Sequence, residues 1–312
     1  MSGGALVGDI GGTNARFAVS GPDGLRVLGS IPSAGLPPLP DVLDWARSMG
    51  SGPLRAVSLA VAAPVRGRRL TLTNVDWTVD LDSISLPGRL CNDLEAAAAG
   101  LPGVPENELL DVVPGTVLAE GPAVVMGIGT GLGVSLRIGG QPYPGEGGHQ
   151  LISPLTARHQ GLVAFLRADL GRAPEWEDAL SGPGLGRLLR FAQHHHEPDV
   201  AVIEALSGLR TDAERAALVS AHPNDPACAE AGQIFAELLG VCARNLCLTV
   251  LATGGVWLCG GVAPRMAWSL LDGAFLRGFK APGPVMDAVA DVPVRLVQDP
   301  LLQLRGAALL AP

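Results

Sequence analysis

The chain has 312 residues, 47% of them hydrophobic, and a formal net charge of −8, which is longer than one core usually grows and apolar enough to fill more than one. Its 42 glycines and 26 prolines stay below the share that marks low-complexity sequence, so a folded globular protein is expected. The acidic balance lacks the basic footprint that phosphate-backbone binding requires, and nucleic acid is not expected as a partner.

The N-terminal "MSGGALVGDI" has no basic segment leading into an apolar one. No secretory signal is read, and a cytoplasmic location is expected. In "LVGDIGGTNARFAV", residues 6–19, two apolar or alternating segments flank "IGGTN". Glycine supplies φ > 0 and Asn tolerates it, so the stretch predicts a strand, a turn and a strand. A dinucleotide fold needs GxGxxG opening a helix; here a strand follows, which excludes it. The run "RLCNDLEAAAAGL" predicts a strand entering Asn92 and Asp93, then an alanine helix closed by Gly100. Both residues are good N-caps; Asp93 could equally be a carboxylate aimed at a substrate hydroxyl.

A second strand–turn–strand is read in "AVVMGIGTGLGVSLRI", residues 123–138. Backbone N–H groups in such turns bind anions without a lysine. Either hairpin alone is an ordinary tight turn, whereas the pair, with Asp9 and Thr130 placed inside the turns, favours a shared anion. "YPGEGGHQLISP", 143–154, sets Glu146 and His149 on a Pro/Gly loop with no regular structure expected. Glu146 is there a solvated charge or an acceptor for a sugar hydroxyl. A helix over about 155–170 stopped by Gly171 follows, then "PEWEDALSGPGLGRLL" with Glu177 before another glycine turn.

The rest reads as mostly helical scaffold. "TDAERAAL" carries a T-x-x-E capping box, and 224–252 has long apolar periodicity. His194, His195 and His196 are adjacent and so point in different directions around a helix, which suits a shared metal badly. The uncharged 246–263 is barely long enough to span a bilayer, but its two Gly-Gly pairs divide it into a helix end and a short strand, and no membrane is expected. Cys91, Cys228, Cys242, Cys247 and Cys259 form no zinc pattern and read as reduced core thiols. The sole lysine, Lys280, lies far from any glycine turn, which excludes a P-loop.

"GDIGGTNARFAV", "CNDLEAAAAGL", "GIGTGLGVSL", "PGEGGHQLISP", "EDALSGPGLGRL" and "LCGGVAPRM", in this order over most of the chain, resemble the bacterial glucokinases. The resemblance implies an α/β chain of the actin-like ATPase (ribonuclease H-like) fold, with two domains and a cleft between them. A small domain of 1–103 would be rejoined by 293–312, the large one would take 104–292, and closure would keep water from the phosphoryl group.

The resemblance further implies ATP and Mg²⁺ as cofactors, β-D-glucose as substrate, and a homodimer. Gly11, Gly12, Thr13 and Asn14 would form the first phosphate-binding motif and Gly129, Thr130 and Gly131 the second, with Gly260 and Gly261 on the adenosine side. Asp9 would orient Mg²⁺ or its water. Asp93 would be the general base for the 6-hydroxyl, and Asn92, Glu146, His149 and Glu177 would bind the other hydroxyls. The sequence departs from related kinases in lacking the zinc motif of the repressor/ORF/kinase group, and in carrying Ala63 where a cysteine is usual. A kinase for mannose or fructose, a non-catalytic sugar sensor and an assembling ATPase remain as alternatives. A sensor that represses would need a helix-turn-helix ahead of Gly8, and an assembling ATPase would have little use for Glu146, His149 and Glu177 together.

Overall fold

The computed structural model describes residues 3–72 and 77–312. Contacts divide the chain into two units: residues 1–106, 140–144 and 299–312 form the first, and 107–139 with 145–298 form the second.

In the first unit, strands β1 (Gly4–Ile10), β2 (Asn14–Gly21), β3 (Gly24–Pro32) and β4 (Leu54–Val61) are followed by the small antiparallel pair β5 (Arg69–Leu72) and β6 (Trp77–Asp80) and by β7 (Gly88–Asn92). The sheet order is β3-β2-β1-β4-β7, antiparallel among the first three strands and parallel from β1 to β7. Helix α1 (Leu39–Ser48) buries Leu39, Val42, Leu43 and Ala46, an i, i+3, i+4, i+7 face, in a core with Leu6, Ile10, Phe17 and Leu59. Helix α2 (Asp93–Gly100) lies beside the C-terminal helix Leu302–Leu309 at very close range. A Cβ on Gly306 would collide with the carbonyl of Ala96, and one on Gly100 with that of Leu302. The α-helix ends at Gly100 as expected, but Gly100 is there for packing and not for left-handed backbone: its φ is −76°, and the chain continues into a 3-10 turn.

The second unit holds β8 (Leu109–Val113), β9 (Ala123–Ile128), β10 (Leu132–Ile138), β12 (Val256–Cys259) and β13 (Val294–Val297); strand β11 (Gln141–Gly145) belongs mostly to the first. Its strands run β10-β9-β12-β13-β8, parallel through β9, β12 and β13. The helices are α3 (Ala157–Leu170), α4 (Trp176–Ala179), α5 (Gly182–Ala192), α6 (Val200–Leu206), α7 (Asp212–Ala221), α8 (Pro226–Val250), α9 (Ala267–Leu271) and α10 (Ala274–Phe279). Gly171 ends α3 at φ 68°, and Thr211 with Glu214 closes the capping box of α7, both as the sequence predicts.

Helix α8 is long and apolar enough to cross a membrane, but most of it is buried in this unit's core. The uncharged 246–263 is the end of α8 followed by β12. All five cysteines are free and buried. The rings of His194 and His195 pack edge-on against Phe165 and Phe191. Among the described residues no group of three or more His, Cys, Asp and Glu is placed to hold a metal.

Candidate active site

In the first unit the turn from β1 to β2 is closed by Gly11 N donating to Asn14 O at 3.1 Å. It is pinned from outside by Ser33, whose Oγ donates to Gly11 O at 2.6 Å and whose amide donates to Thr13 O at 2.9 Å. Gly11 and Gly12 do not have positive φ, which corrects the reason expected for them. What Gly12 provides is room: a Cβ there would meet no atom within 4 Å. Gly12, Thr13 and Asn14 are exposed, so their backbone is open to a ligand.

Asp9 is not inside the turn, as expected, but in β1, directly opposite Arg16 of β2. Burial raises the Asp9 carboxyl above its ordinary range, and Arg16 opposes that shift. The Arg16 guanidinium in turn donates to the carbonyl of Pro300.

At the end of β7 the capping falls to Asn92. Its Oδ1 accepts from the amides of Leu94 (2.9 Å) and Glu95 (3.3 Å), its Nδ2 donates to Ala63 O (3.3 Å), and Glu95 closes the box on the Asn92 amide (3.3 Å). Asp93 is thus the first helical residue and not the cap. It is half-buried, and its carboxyl is pushed up to about 6, first by burial and then by the charge of Asp9, against hydrogen bonds from backbone amides and Asn92. This lies well above the ordinary carboxylate range.

In the second unit the β9–β10 turn is closed by Gly129 N donating to Gly131 O at 2.9 Å, and Gly182, at the start of α5, donates to Gly129 O at 2.8 Å. A Cβ on Gly129 would meet nothing within 4 Å, whereas one on Gly131 would fall 2.5 Å from Glu177 Oε2. Thr130, at the tip, is exposed. Gly260 and Gly261 follow β12, which pairs with β9 up to Cys259 opposite Gly127. Gly260 takes φ 93°, and a Cβ there would strike the backbone of Ile128. Gly261 is open. These glycines therefore converge on one end of the β9–β12 pair.

Glu146, His149 and Glu177 are brought together in the same unit. The loop is more regular than expected: residues up to Gly145 are in β11, and Gly147–His149 form a 3-10 turn. That turn is pressed onto β10, since a Cβ on Gly148 would collide with Leu132 O. Residues 150–152 pair with 174–176: Trp176 N donates to Gln150 O (2.9 Å), Ile152 N to Pro174 O (3.2 Å), and Leu151 bridges Glu175. Across this ladder His149 Nδ1 meets Glu175 Oε2 at 2.9 Å, and its Nε2 stands 3.9 Å from Glu146 Oε2. The imidazole is held above its ordinary value, chiefly by the Glu175 bond and further by the charges of Glu177, Glu175 and Glu146.

Ser33, Arg16 and Glu175 are absent from the sequence reading. Ser33 and Arg16 act through strand register, which a single sequence does not display. Glu175 had one visible signal: in "PEWEDAL" it stands three residues before Asp178, the N-cap-to-N3 spacing at which the Asp178 side chain takes the Glu175 amide.

Solved structures of glucokinases share this fold. A glucokinase from an Antarctic psychrotroph superposes with a TM-score of 0.84 at 26% identity, covering 99% of both chains. A ROK family glucokinase from Streptomyces griseus, in complex with glucose and AMPPNP, does so with a TM-score of 0.67 at 21% identity and 99% coverage of both chains, and shows the fold alone. A family model described as Glucokinase matches residues 6–312, and the Glucokinase of Marinobacter nauticus is 35% identical over 97% of this chain and 96% of its own. The chain belongs to the glucokinase family.

Proposed function

We propose that the protein transfers the γ-phosphoryl group of ATP to the 6-hydroxyl of D-glucose, giving glucose 6-phosphate and ADP, in a mixed α/β chain of the actin-like ATPase class. Membership of the glucokinase family supports the substrates. The single observation that supports the chemistry is Asp93, relieved of capping by Asn92 and carrying a carboxyl raised to about 6. A base with that value is ionised at pH 7 and still basic enough to take the hydroxyl proton as the new O–P bond forms. The β–γ bridging P–O bond breaks in the same displacement, and ADP leaves with its electron pair.

The open glycines support phosphate binding. Gly12 and Gly129 leave space where a methyl group would stand, and backbone N–H groups there can take the place of a P-loop lysine. Lys280 is spent on the carbonyl of Ala290. Gly11, Thr13 and Asn14 would complete the first turn, Thr130 and Gly131 the second, and Gly260 and Gly261 would pass beside the adenosine. Asn92, Glu146, His149 and Glu177 would supply the acceptors and donors for the remaining hydroxyls. Such a set rejects an epimer by leaving buried polar groups unpaired.

Mg²⁺ suits this donor set. It is bound typically by one or two carboxylates with substrate phosphates, and Asp9 offers one that accepts no hydrogen bond among the described residues. When bound, the ion neutralises charge on the phosphate oxygens. We read the first unit as the small domain and the second as the large one, with the C-terminal boundary at 298 rather than the expected 292 because β13 pairs with β12 and β8, and expect a cytoplasmic homodimer. A coupled ATP assay across glucose, mannose, fructose and N-acetylglucosamine tests the reading: glucose should give the highest kcat/KM, and a higher value for another hexose would overturn the specificity.

A further inference from the structure

Glu175 contacts His149 of the proposed sugar site and has been given no role there. Its position is set independently of any ligand. The Glu175 amide donates to Asp178 Oδ2 at 2.8 Å, and Arg172 clamps both oxygens of Asp178 at 2.8 and 2.9 Å. The Leu151 bridge fixes the same residue from the other side. What emerges from this frame is a carboxylate with Oε2 on His149 Nδ1 at 2.9 Å and Oε1 3.9 Å from the Arg172 guanidinium. The His149 ring is itself half exposed, at 50% of its side chain. Its backbone is held by the 3-10 turn, with its amide on Glu146 O at 3.1 Å.

An exposed imidazole has two ring orientations and two neutral tautomers. A carboxylate on Nδ1 removes that freedom, because Nδ1 must carry the proton and Nε2 is left as the free edge. We propose that Glu175 is a positioning residue of the sugar site: it holds the Nδ1–H of His149 and so presents Nε2, on the Glu146 side, to a hydroxyl of the bound hexose. This rests on the assignment of His149 to glucose.

The charged groups facing His149 are Glu146, Glu175 and Glu177, with Arg172 behind Glu175. The three carboxylates favour the imidazolium, so removing the charge of Glu175 lowers the pH at which His149 loses its proton. Glu175→Gln keeps an oxygen for the Nδ1–H and removes the charge, whereas Glu175→Ala removes both. A residue that orients a binding group alters ground-state affinity more than the chemical step.

The test combines steady-state kinetics with NMR titration of the histidine Cε1 resonances, the His149 signal being identified by its loss in His149→Gln. Glu175→Ala should raise KM for glucose about tenfold with kcat within about threefold of wild type, the pattern of lost ground-state binding. Glu175→Gln should raise KM less and shift the His149 titration downward. A glucose KM in Glu175→Ala within about twofold of wild type, where His149→Gln does raise it, would overturn the role of Glu175 alone. If His149→Gln itself leaves glucose KM unchanged, the sugar-site assignment falls and this role with it. Should Glu175→Ala fail to fold, the Gln variant and the wild-type titration decide: an unshifted His149 in Glu175→Gln, or a wild-type His149 titrating at or below its ordinary 6.5, overturns the proposal.

Discussion

The carboxylate of Glu177 accepts a hydrogen bond from the amide of Leu132 at 2.8 Å, joining the start of helix α4 to the second glycine turn. One side chain thus serves a proposed sugar ligand and the backbone that follows Gly131. Glu177→Ala leaves the Leu132 amide without its charged acceptor, a loss of about 1.5–3 kcal/mol. It should raise KM for ATP as well as for glucose, and lower the melting temperature. A rise confined to glucose would show that the turn does not depend on this bond.

Asn92 takes the helix cap that the sequence left open to both residues, which frees Asp93 for the role proposed for it. Since Asn92 holds the cap, Asp93→Asn should leave helix α2 intact while kcat falls about 10²- to 10⁴-fold, the usual cost of a positioned base. Glucose should still bind in a direct titration. A kcat above about a tenth of the wild-type value would remove the base assignment.

The raised carboxyl also fixes two pH dependences. The rate should fall as pH drops through about 6 and Asp93 gains its proton. For stability the sign is opposite to that of an ion-paired carboxylate. With a folded value of about 6 against 3.8 for the ordinary group, the native state binds more protons in that interval, so Asp93 costs stability as pH rises from about 4 to 6 and the full cost persists above. Asp93→Asn should therefore melt higher than wild type at pH 7.5, with the difference shrinking toward pH 4.5. A lower melting temperature for the variant at pH 7.5 would refute the desolvated carboxylate.

Gly12→Ala and Gly129→Ala test the phosphate assignment through a methyl group. A Cβ meets nothing within 4 Å at either position and neither φ is positive, so stability should stay within about 0.5 kcal/mol of wild type. The methyl groups point into the space proposed for phosphate, and kcat/KM for ATP should fall by about tenfold or more. Unchanged ATP kinetics in both variants would place the nucleotide elsewhere.

Metal dependence gives a further check. Activity should vanish with EDTA and return with Mg²⁺, and elemental analysis should find no stoichiometric zinc. Bound zinc would contradict the scattered, buried cysteines.

Much of the fold was legible because it is written in local signals. The two hairpins, the Thr211 capping box and the Gly171 stop depend on residues within a few positions of one another. The site was legible by residue type but not by cause. Gly11 and Gly12 were expected for left-handed backbone and take none, Gly12 providing open space instead; in the second turn the structure uses open space at Gly129 and the approach of Glu177 at Gly131. Asp9 was expected in the turn and lies in the strand, because pairing with Arg16 carries β1 on to Ile10. The raised Asp93 and the Glu175–His149 bond depend on residues far apart in sequence, and periodicity has no access to either.

The glycine contact between α2 and the C-terminal helix has a consequence for biosynthesis. A ribosome delivers residues 107–298, the whole sequence of the second unit, before the helix Leu302–Leu309 exists, so the first unit is the one still missing a piece when the second is complete in sequence. The helix that begins with Asp93 gains its last packing partner only when the chain is almost finished. A chain cut short of Leu302 would keep the helix that begins with Asp93 but leave its Ala96–Gly100 face bare.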